Sequence, residues 1–191
     1  MLAYVFWHWR KADIAAGEYE NRQRAFHAAL ASAPPPGFHG SFSVALSQAP
    51  WAGGSGDAYE DWYLLQDFGA LGSLNEAAVS NSRAAPHDAA AAVAAGGAGG
   101  LYGLRRGAAL RQPPYAHWFG KPDGMPYSEL FAQLTPLVDQ VQGALWMRQM
   151  VLGPTCEFCL HAAAPLSVPA AFSALVLPLR PAWPGLASRS G

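Results

Sequence analysis

The opening of this chain recurs, with changes, near its middle. The run Tyr-Val-Phe-Trp-His-Trp-Arg-Lys at residues 4–11 returns as Tyr-Ala-His-Trp-Phe-Gly-Lys at residues 115–121. Each copy precedes a turn and then an apolar-periodic segment with a tyrosine near its start, Tyr19 in the first and Tyr127 in the second. An internal repeat of this kind predicts two similarly folded halves, one of which covers the sheet of the other.

The first half contains alternating signals for strands and helices. Short aromatic or alternating runs indicate strands, and the helical spacing of Tyr19, Phe26 and Leu30 indicates a helix. The predicted elements are a strand at 3–10, a helix at 14–32 with Asp13 as N-cap, strands at 38–47 and 59–67, a helix at 68–79 continued at 86–95, and a strand at 101–106. The glycine-rich run at 96–100 is interpreted as a helix stop, because it lacks the Lys-Ser/Thr ending of a phosphate-binding loop. The resulting order, βαββαβ, is that of a ferredoxin-like fold.

The second half restarts after a linker at 111–114. Its predicted elements are a strand at 115–120, a helix at 126–139, and strands at 143–152, 157–162 and 174–180. Pro165 and Pro169 exclude a long second helix there. We therefore predict an α+β fold of two fused ferredoxin-like halves, residues 1–110 and a reduced second half at 115–181, with a flexible tail at 182–191.

The segment Tyr-Leu-Leu-Gln-Asp-Phe-Gly-Ala-Leu at residues 63–71 leads to Ala85-Pro86-His87. Together with the tandem βαββαβ order, it resembles the strand–helix–Pro-His stretch of the dimeric α/β-barrel superfamily, which includes antibiotic-biosynthesis-monooxygenase-like, EthD-like and NIPSNAP-like proteins. The resemblance implies that the two halves form an intramolecular dimeric α/β barrel and that His87 borders a pocket. Activities in that superfamily range from oxygenation to haem binding to none known, so the resemblance does not fix a reaction.

Composition narrows the class of protein. Hydrophobic residues make up 51% and charged residues 13% of the chain, and the net charge is -1. Without a basic cluster the chain is not expected to bind nucleic acid, and no apolar run is long enough to span a membrane. Two cysteines are too few for a disulfide framework. We expect a cytoplasmic protein, of bacterial origin given its Arg-, Ala- and Gly-rich composition, that is a monomer or a homodimer.

Strand alternation selects the candidate site residues. His8, Asp61 and Arg148 lie on strand faces that we expect to look into the barrel. A histidine beside a carboxylate can act as a general base, and an arginine can hold an enolate or carboxylate oxygen, so these three are the candidate catalytic residues. The candidate ligand-binding residues are Phe6, Tyr63, His87, His117 and Trp146. In the alternative interpretation, these groups only satisfy one another inside the barrel.

The functional hypotheses remain open at this point. The first is a pocket inside the barrel for an aromatic or carbonyl-containing ligand, in a cofactor-free monooxygenase or an isomerase or lyase; the sequence has no nucleotide or flavin fingerprint. The alternatives are a non-catalytic binding or assembly module and a haem-binding protein with an axial histidine. Cys156 and Cys159 are interpreted as two small buried apolar residues, and no metal site is expected, because a second cysteine pair is absent.

Overall fold

The computed structural model describes residues 1–47, 49–51, 57–151 and 156–183. The helices within these ranges are α1 (Ala16–Ser32), α2 (Phe68–Ala78), α3 (Ala84–Val93) and α4 (Tyr127–Gln140). The strands are β1 (Leu2–Arg10), β2 (Phe38–Ser47), β3 (Asp57–Leu65), β4 (Ala94–Gly107), β5 (Tyr115–Phe119), β6 (Ala144–Val151), β7 (Phe158–Ala162), β8 (Leu175–Pro178) and β9 (Arg180–Trp183). The predicted α+β class is confirmed.

The strands form a single antiparallel sheet in the order β8-β5-β7-β6-β4-β1-β3-β2-β9. β8 and β9 lie at opposite edges of this order, yet only Leu179 separates them along the chain. The two edges must therefore meet, and the sheet curls into a nearly closed barrel. On either side of the β4–β6 pair the strands follow equivalent orders, β4-β1-β3-β2 and β8-β5-β7-β6.

Large aromatic side chains fill the interior of this barrel. Its core includes the fully buried Trp7, Trp62, Trp118 and Trp146 together with Tyr102. The opposite face of β1, β3 and β4 packs under α1, α2 and α3, whereas α4 covers the outer face of β5, β6 and β7. The alternation of apolar and polar residues in the strands thus divides a tryptophan-rich interior from helix-covered outer faces.

Glycines at 96–100 belong to a strand, so their interpretation as a helix stop is wrong. They form part of β4, whose residues 94–103 pair with β1. A Cβ on Gly97 would lie 2.4 Å from the Phe6 ring, and one on Gly99 would lie 2.7 Å from the Tyr4 hydroxyl. Glycine is needed here because aromatic rings of β1 lie across the neighbouring backbone.

Several predicted boundaries also differ. The N-cap of α1 is Ala15 and not Asp13. The predicted last strand is divided into β8 and β9, and β9 pairs with β2. Ala182 and Trp183, at the start of the predicted tail, lie in β9, while 184–191 fall outside the described residues. Among the helices that the structure describes, none is long and apolar enough to cross a membrane.

Candidate active site

A cavity of about 630 Å³ lies between the outer face of β1, β3 and β4 and the helices α1, α2 and α3. Its walls are largely apolar and include Phe6, Phe26, Leu71 and Leu74. Both its volume and its lining are typical of a small-molecule site, for which ~300–1,000 Å³ is the usual range. This cavity lies outside the barrel and not inside it as expected: strand alternation grouped His8, Asp61 and Tyr63 on one face, but that face looks toward the helices.

The polar end of the cavity is built around Asp61 of β3. Strand pairing sets Phe6 of β1 opposite Asp61, so the next outward residue of β1, His8, reaches the carboxylate from the side. His8 Nε2 lies 3.2 Å from Asp61 Oδ1. The Tyr63 hydroxyl donates a hydrogen bond of 3.0 Å to Asp61 Oδ2. All three side chains are buried.

Helix α1 supplies the group between His8 and the cavity. Tyr19 lines the cavity, and its hydroxyl lies 2.5 Å from His8 Nδ1. Burial, and then the negative charge of Asp61, raise the pKa of the Tyr19 phenol, while a hydrogen bond from Gln23 opposes this rise. A continuous chain of contacts therefore runs from the cavity through Tyr19 and His8 to Asp61.

A second histidine reaches the same carboxylate from the other side. His27, also on α1 and fully buried, places Nε2 3.2 Å from Asp61 Oδ2. Its Nδ1 lies 2.7 Å from Ser41 Oγ on β2. Its ring stacks between those of Tyr63 and Trp183, at centroid distances of 5.3 and 6.3 Å. Asp61 thus contacts two imidazole rings that approach it from different directions.

The electrostatics of this cluster favour an ionised Asp61. Burial alone would raise the pKa of the carboxyl, but the electrostatic influence of His8 and His27, each with a ring nitrogen 3.2 Å away, holds it well below its ordinary value of 3.8. Conversely, burial and the Asp61 charge raise the pKa of Tyr63 well above its ordinary value. The cluster is therefore a buried carboxylate surrounded by proton-carrying rings.

The structure brings together five of the eight predicted site residues. Asp61, Phe6, Tyr63 and His87 line the cavity, and His8 contacts Asp61 behind it. His87 is about one-third exposed, and its ring packs edge-on against Phe26 at a centroid distance of 5.4 Å.

The other three predicted residues lie elsewhere. Arg148 is exposed on β6, and its backbone N–H bonds to the Glu157 carbonyl. Trp146 belongs to the barrel core. His117 lies on the outer face of β5, where Nδ1 contacts the Leu160 carbonyl at 3.2 Å and Nε2 accepts the Leu166 N–H at 3.0 Å. Burial lowers the pKa of His117, which fits a neutral histidine held by backbone partners.

Sequence reasoning missed the contribution of α1. Tyr19, Gln23 and His27 follow one another at a spacing of four residues, so they share one helix face. Polar residues at these positions, beside the apolar Phe26 and Leu30, were the available signal that this face meets a polar cluster.

The barrel interior contains a second pair of buried titratable groups, Glu60 and His161. Glu60 Oε2 accepts a hydrogen bond of 3.2 Å from the Trp62 indole. His161 packs edge-on against Trp62 at a centroid distance of 4.5 Å, and neither of its nitrogens has a hydrogen-bond partner. Cys159 is buried nearby as a free thiol, and Cys156 is free and half-buried. Within the described ranges, no group of three or more His, Cys, Asp or Glu residues could hold a metal ion.

Comparisons with known proteins support the architecture. Neither the family models nor the curated proteins contain a match to the chain. An anthrone oxidase-like protein of known structure superimposes with a TM-score of 0.50 at 10% identity, and a putative monooxygenase from Lactobacillus acidophilus NCFM superimposes with a TM-score of 0.52 at 9% identity. Each alignment covers 95% of this chain and 93% of the other. At such identities the likeness shows a shared fold.

Proposed function

We propose that this protein is a monooxygenase-like enzyme that oxidises an aromatic, carbonyl-containing small molecule in the cavity over β1, β3 and β4. The observation that carries the proposal is the chain of contacts from the cavity through Tyr19 and His8 to Asp61. A buried histidine oriented by a carboxylate is suited to general-base chemistry. The names of the two structural neighbours support the same reaction class.

We also propose that the fold arose as two fused ferredoxin-like halves, residues 1–110 and 115–181. The two equivalent strand orders support this, as does the recurrence of the opening run in β1 and β5. In this view the halves have diverged in chemistry. The first has the cavity and the cluster at Asp61, while the loop that contains Leu166 contacts His117 at the corresponding face of the second.

The proposed first step is removal of a proton from an activated C–H group of the substrate. The Tyr19 oxygen faces the cavity and takes this proton as its own proton passes to His8 Nδ1. His8 becomes positively charged while it lies 3.2 Å from the Asp61 carboxylate, which stabilises that charge. The apolar walls hold the aromatic rings of the substrate and exclude water from the resulting anion.

The second step consumes molecular oxygen as co-reactant. The electron pair of the carbanion reduces O₂, and the substrate carbon forms a bond to one oxygen atom to give a peroxide. Loss of water, which uses the proton held by His8 and the second hydrogen of the carbon, leaves a carbonyl. A methylene carbon is thereby oxidised to C=O, while O₂ provides the carbonyl oxygen and the oxygen of one water molecule.

Oxygen uptake by the purified protein tests the proposal. Anthrone is the first substrate to try, followed by other hydroxylated aromatic ketones with an activated methylene group. We expect uptake of one O₂ per substrate, and a loss of about 100-fold or more in His8→Gln and Tyr19→Phe, which is the usual contribution of a general base.

Two matched controls separate the site from a general loss of structure. His39 is exposed on β2 and Tyr115 lies on β5 away from the cavity, so His39→Gln and Tyr115→Phe should keep the wild-type rate. Equal losses in all four variants would contradict the proposed roles. Binding of the aromatic compounds without oxygen uptake would favour the non-catalytic alternative.

Haem binding stays a separate prediction. His87 is the histidine that lines the cavity, so it is the candidate axial ligand. Adding haemin to wild type and to His87→Ala tests this alternative. A Soret shift that only the wild type gives would favour a haem protein over the proposed enzyme.

A further inference from the structure

Two histidines share one carboxylate at the polar end of the cavity. His8 and His27 approach different oxygens of Asp61, each at 3.2 Å, and all three side chains are at most 2% exposed. An ionised carboxylate buried this deeply is stabilised by one compensating positive charge. Two positive rings would leave an uncompensated charge in the same buried site. In the balanced state of the cluster, Asp61 is ionised, one histidine ring is neutral and the other is an imidazolium.

The hydrogen bonds around the two rings are not equivalent. The Tyr19 hydroxyl lies 2.5 Å from His8 Nδ1, and a phenol is a stronger donor and a weaker acceptor than the serine hydroxyl that faces His27, so we assign Tyr19 as the donor to His8 Nδ1. A ring nitrogen that accepts a hydrogen bond has no proton, so His8 is neutral and has its proton on Nε2. His27 Nδ1 faces Ser41 Oγ, which can accept, so His27 can donate from both nitrogens.

We infer that His27 is a positioning residue that holds the shared proton of this cluster and thereby keeps His8 neutral. The inference deepens the proposed function and rests on it for its catalytic consequence, since only a neutral His8 can receive the substrate proton through Tyr19. When His8 takes that proton, the cluster becomes positive. The two positive rings then repel each other, which favours the later release of the His8 proton to the peroxide.

The other polar groups around the cluster do not change this balance. Tyr63 donates to Asp61 from β3, and Tyr59 stacks on His8 at a centroid distance of 5.5 Å. Glu20 of α1, the acid that accepts from Tyr59, is already paired with Arg24 and Arg180.

Nitrogen NMR of the histidine rings tests the inference without any substrate. The uniformly labelled full chain has six histidines, and His8→Gln and His27→Gln assign the two signals. At neutral pH we expect His27 as an imidazolium and His8 as a neutral ring protonated at Nε2. In His27→Gln the carboxylate has one histidine left, so His8 should become the imidazolium. In Ser41→Ala, which removes the acceptor of His27, the proton should move toward His8.

Activity provides a second readout that a merely structural role would not give. In His27→Gln, oxygen uptake at neutral pH should fall by about tenfold or more and recover as the pH is raised and His8 loses its proton. His39→Gln should leave both the NMR spectrum of the cluster and the pH profile unchanged.

The two claims fail separately. Wild-type spectra with both rings neutral, both charged, or the proton on His8 would overturn the inference even if the enzyme consumes oxygen. An absence of oxygen uptake with the expected ring states would overturn the proposed function and leave the shared proton standing. If His27→Gln does not fold, the wild-type and Ser41→Ala spectra decide the matter.

Discussion

Asp61 and Glu60 are neighbours in β3 whose side chains leave the strand on opposite faces and meet opposite environments. Asp61 faces two imidazole rings that hold its pKa down. Glu60 faces the barrel interior, where burial raises its pKa to about 7, although the indoles of Trp62, Trp7 and Trp118 oppose the rise. Two adjacent acidic residues thus differ in protonation state because the alternation of the strand places them on opposite faces of the sheet.

The raised pKa of Glu60 makes stability depend on pH. The ordinary value is 4.5, so between about pH 4.5 and about 7 the folded state binds a proton that the unfolded state has lost. The free energy of unfolding therefore decreases as the pH rises through this window. Glu60→Gln has no such proton, so it should exceed the wild type in stability by about 3 kcal/mol near pH 8 and lose most of that advantage near pH 4. Urea unfolding at both pH values measures the difference.

Glu60→Gln and the wild type must be compared at the same pH, because His161 also makes the stability of both proteins depend on pH. Burial lowers its pKa to about 3, so the unfolded state binds the extra proton, and His161 makes both proteins less stable as the pH falls below about 6.5. This slope cancels in the comparison. The exposed Glu76 provides the control, because Glu76→Gln should follow the wild type throughout. A Glu60→Gln advantage that is independent of pH would contradict a buried, titrating Glu60.

For single residues, the sequence predicted which side chains share a strand face better than it predicted the environment that this face meets. Strand alternation put Phe6, His8, Asp61 and Tyr63 together without any tertiary information, because the period of two is local. The sequence could not tell which face of the sheet is inside, since both faces are buried and aromatic. Arg148 failed because it lies two residues beyond Trp146 of the barrel core, at the exposed end of β6, and not on the helix-covered face that contains the cavity.

At the scale of elements, the glycine-rich part of β4 lets β1 and β4 pair under a row of aromatic rings. A Cβ on Gly97 would lie 2.4 Å from the Phe6 ring and 2.8 Å from the Trp7 backbone oxygen. Rotation of Phe6 relieves only the first contact. Gly97 also lines the cavity, so the same glycine shapes both the strand pair and the candidate site.

Gly97→Ala should therefore destabilise the protein by about 1–3 kcal/mol, the usual cost of overpacking. Gly72 is the matched control, because it is exposed on α2 and a Cβ there meets nothing within 4 Å. Gly72→Ala should stabilise by up to about 1 kcal/mol through helix propensity. Chemical denaturation of the two variants measures both changes, and a neutral Gly97→Ala would show that the strands can separate at no cost.

Most elements were predictable because their signals are local. The periodicity of α1 and the alternation of β1 placed both within about two residues of their observed bounds. The predicted β4 was too short, because consecutive glycines usually end an element. Here the glycines are needed because aromatic rings of the partner strand lie against them. The break between β8 and β9 depends on pairing with two distant strands, which a single-sequence pattern does not contain.

At the scale of the whole molecule, closure of the sheet completes the candidate site. β9 returns to β2, and Trp183 on it stacks against His27. The strand that links the two edges of the barrel thus covers the side of the Asp61 cluster that lies away from the cavity. The recurrence of the opening run in β5 could not predict that the cavity lies over β1, β3 and β4, because the two runs differ only at individual side chains.

The central claim is that Tyr19 and His8, supported by Asp61, remove a proton from a substrate bound in the cavity. The most direct test is the absorption spectrum of anthrone, or of the substrate that gives oxygen uptake, mixed with the protein under argon, where ionisation is separated from reaction with oxygen. We expect the spectrum of the bound anion with the wild type and with Tyr115→Phe, and that of the neutral compound with Tyr19→Phe and His8→Gln. An anion that forms equally in Tyr19→Phe and His8→Gln would contradict the account.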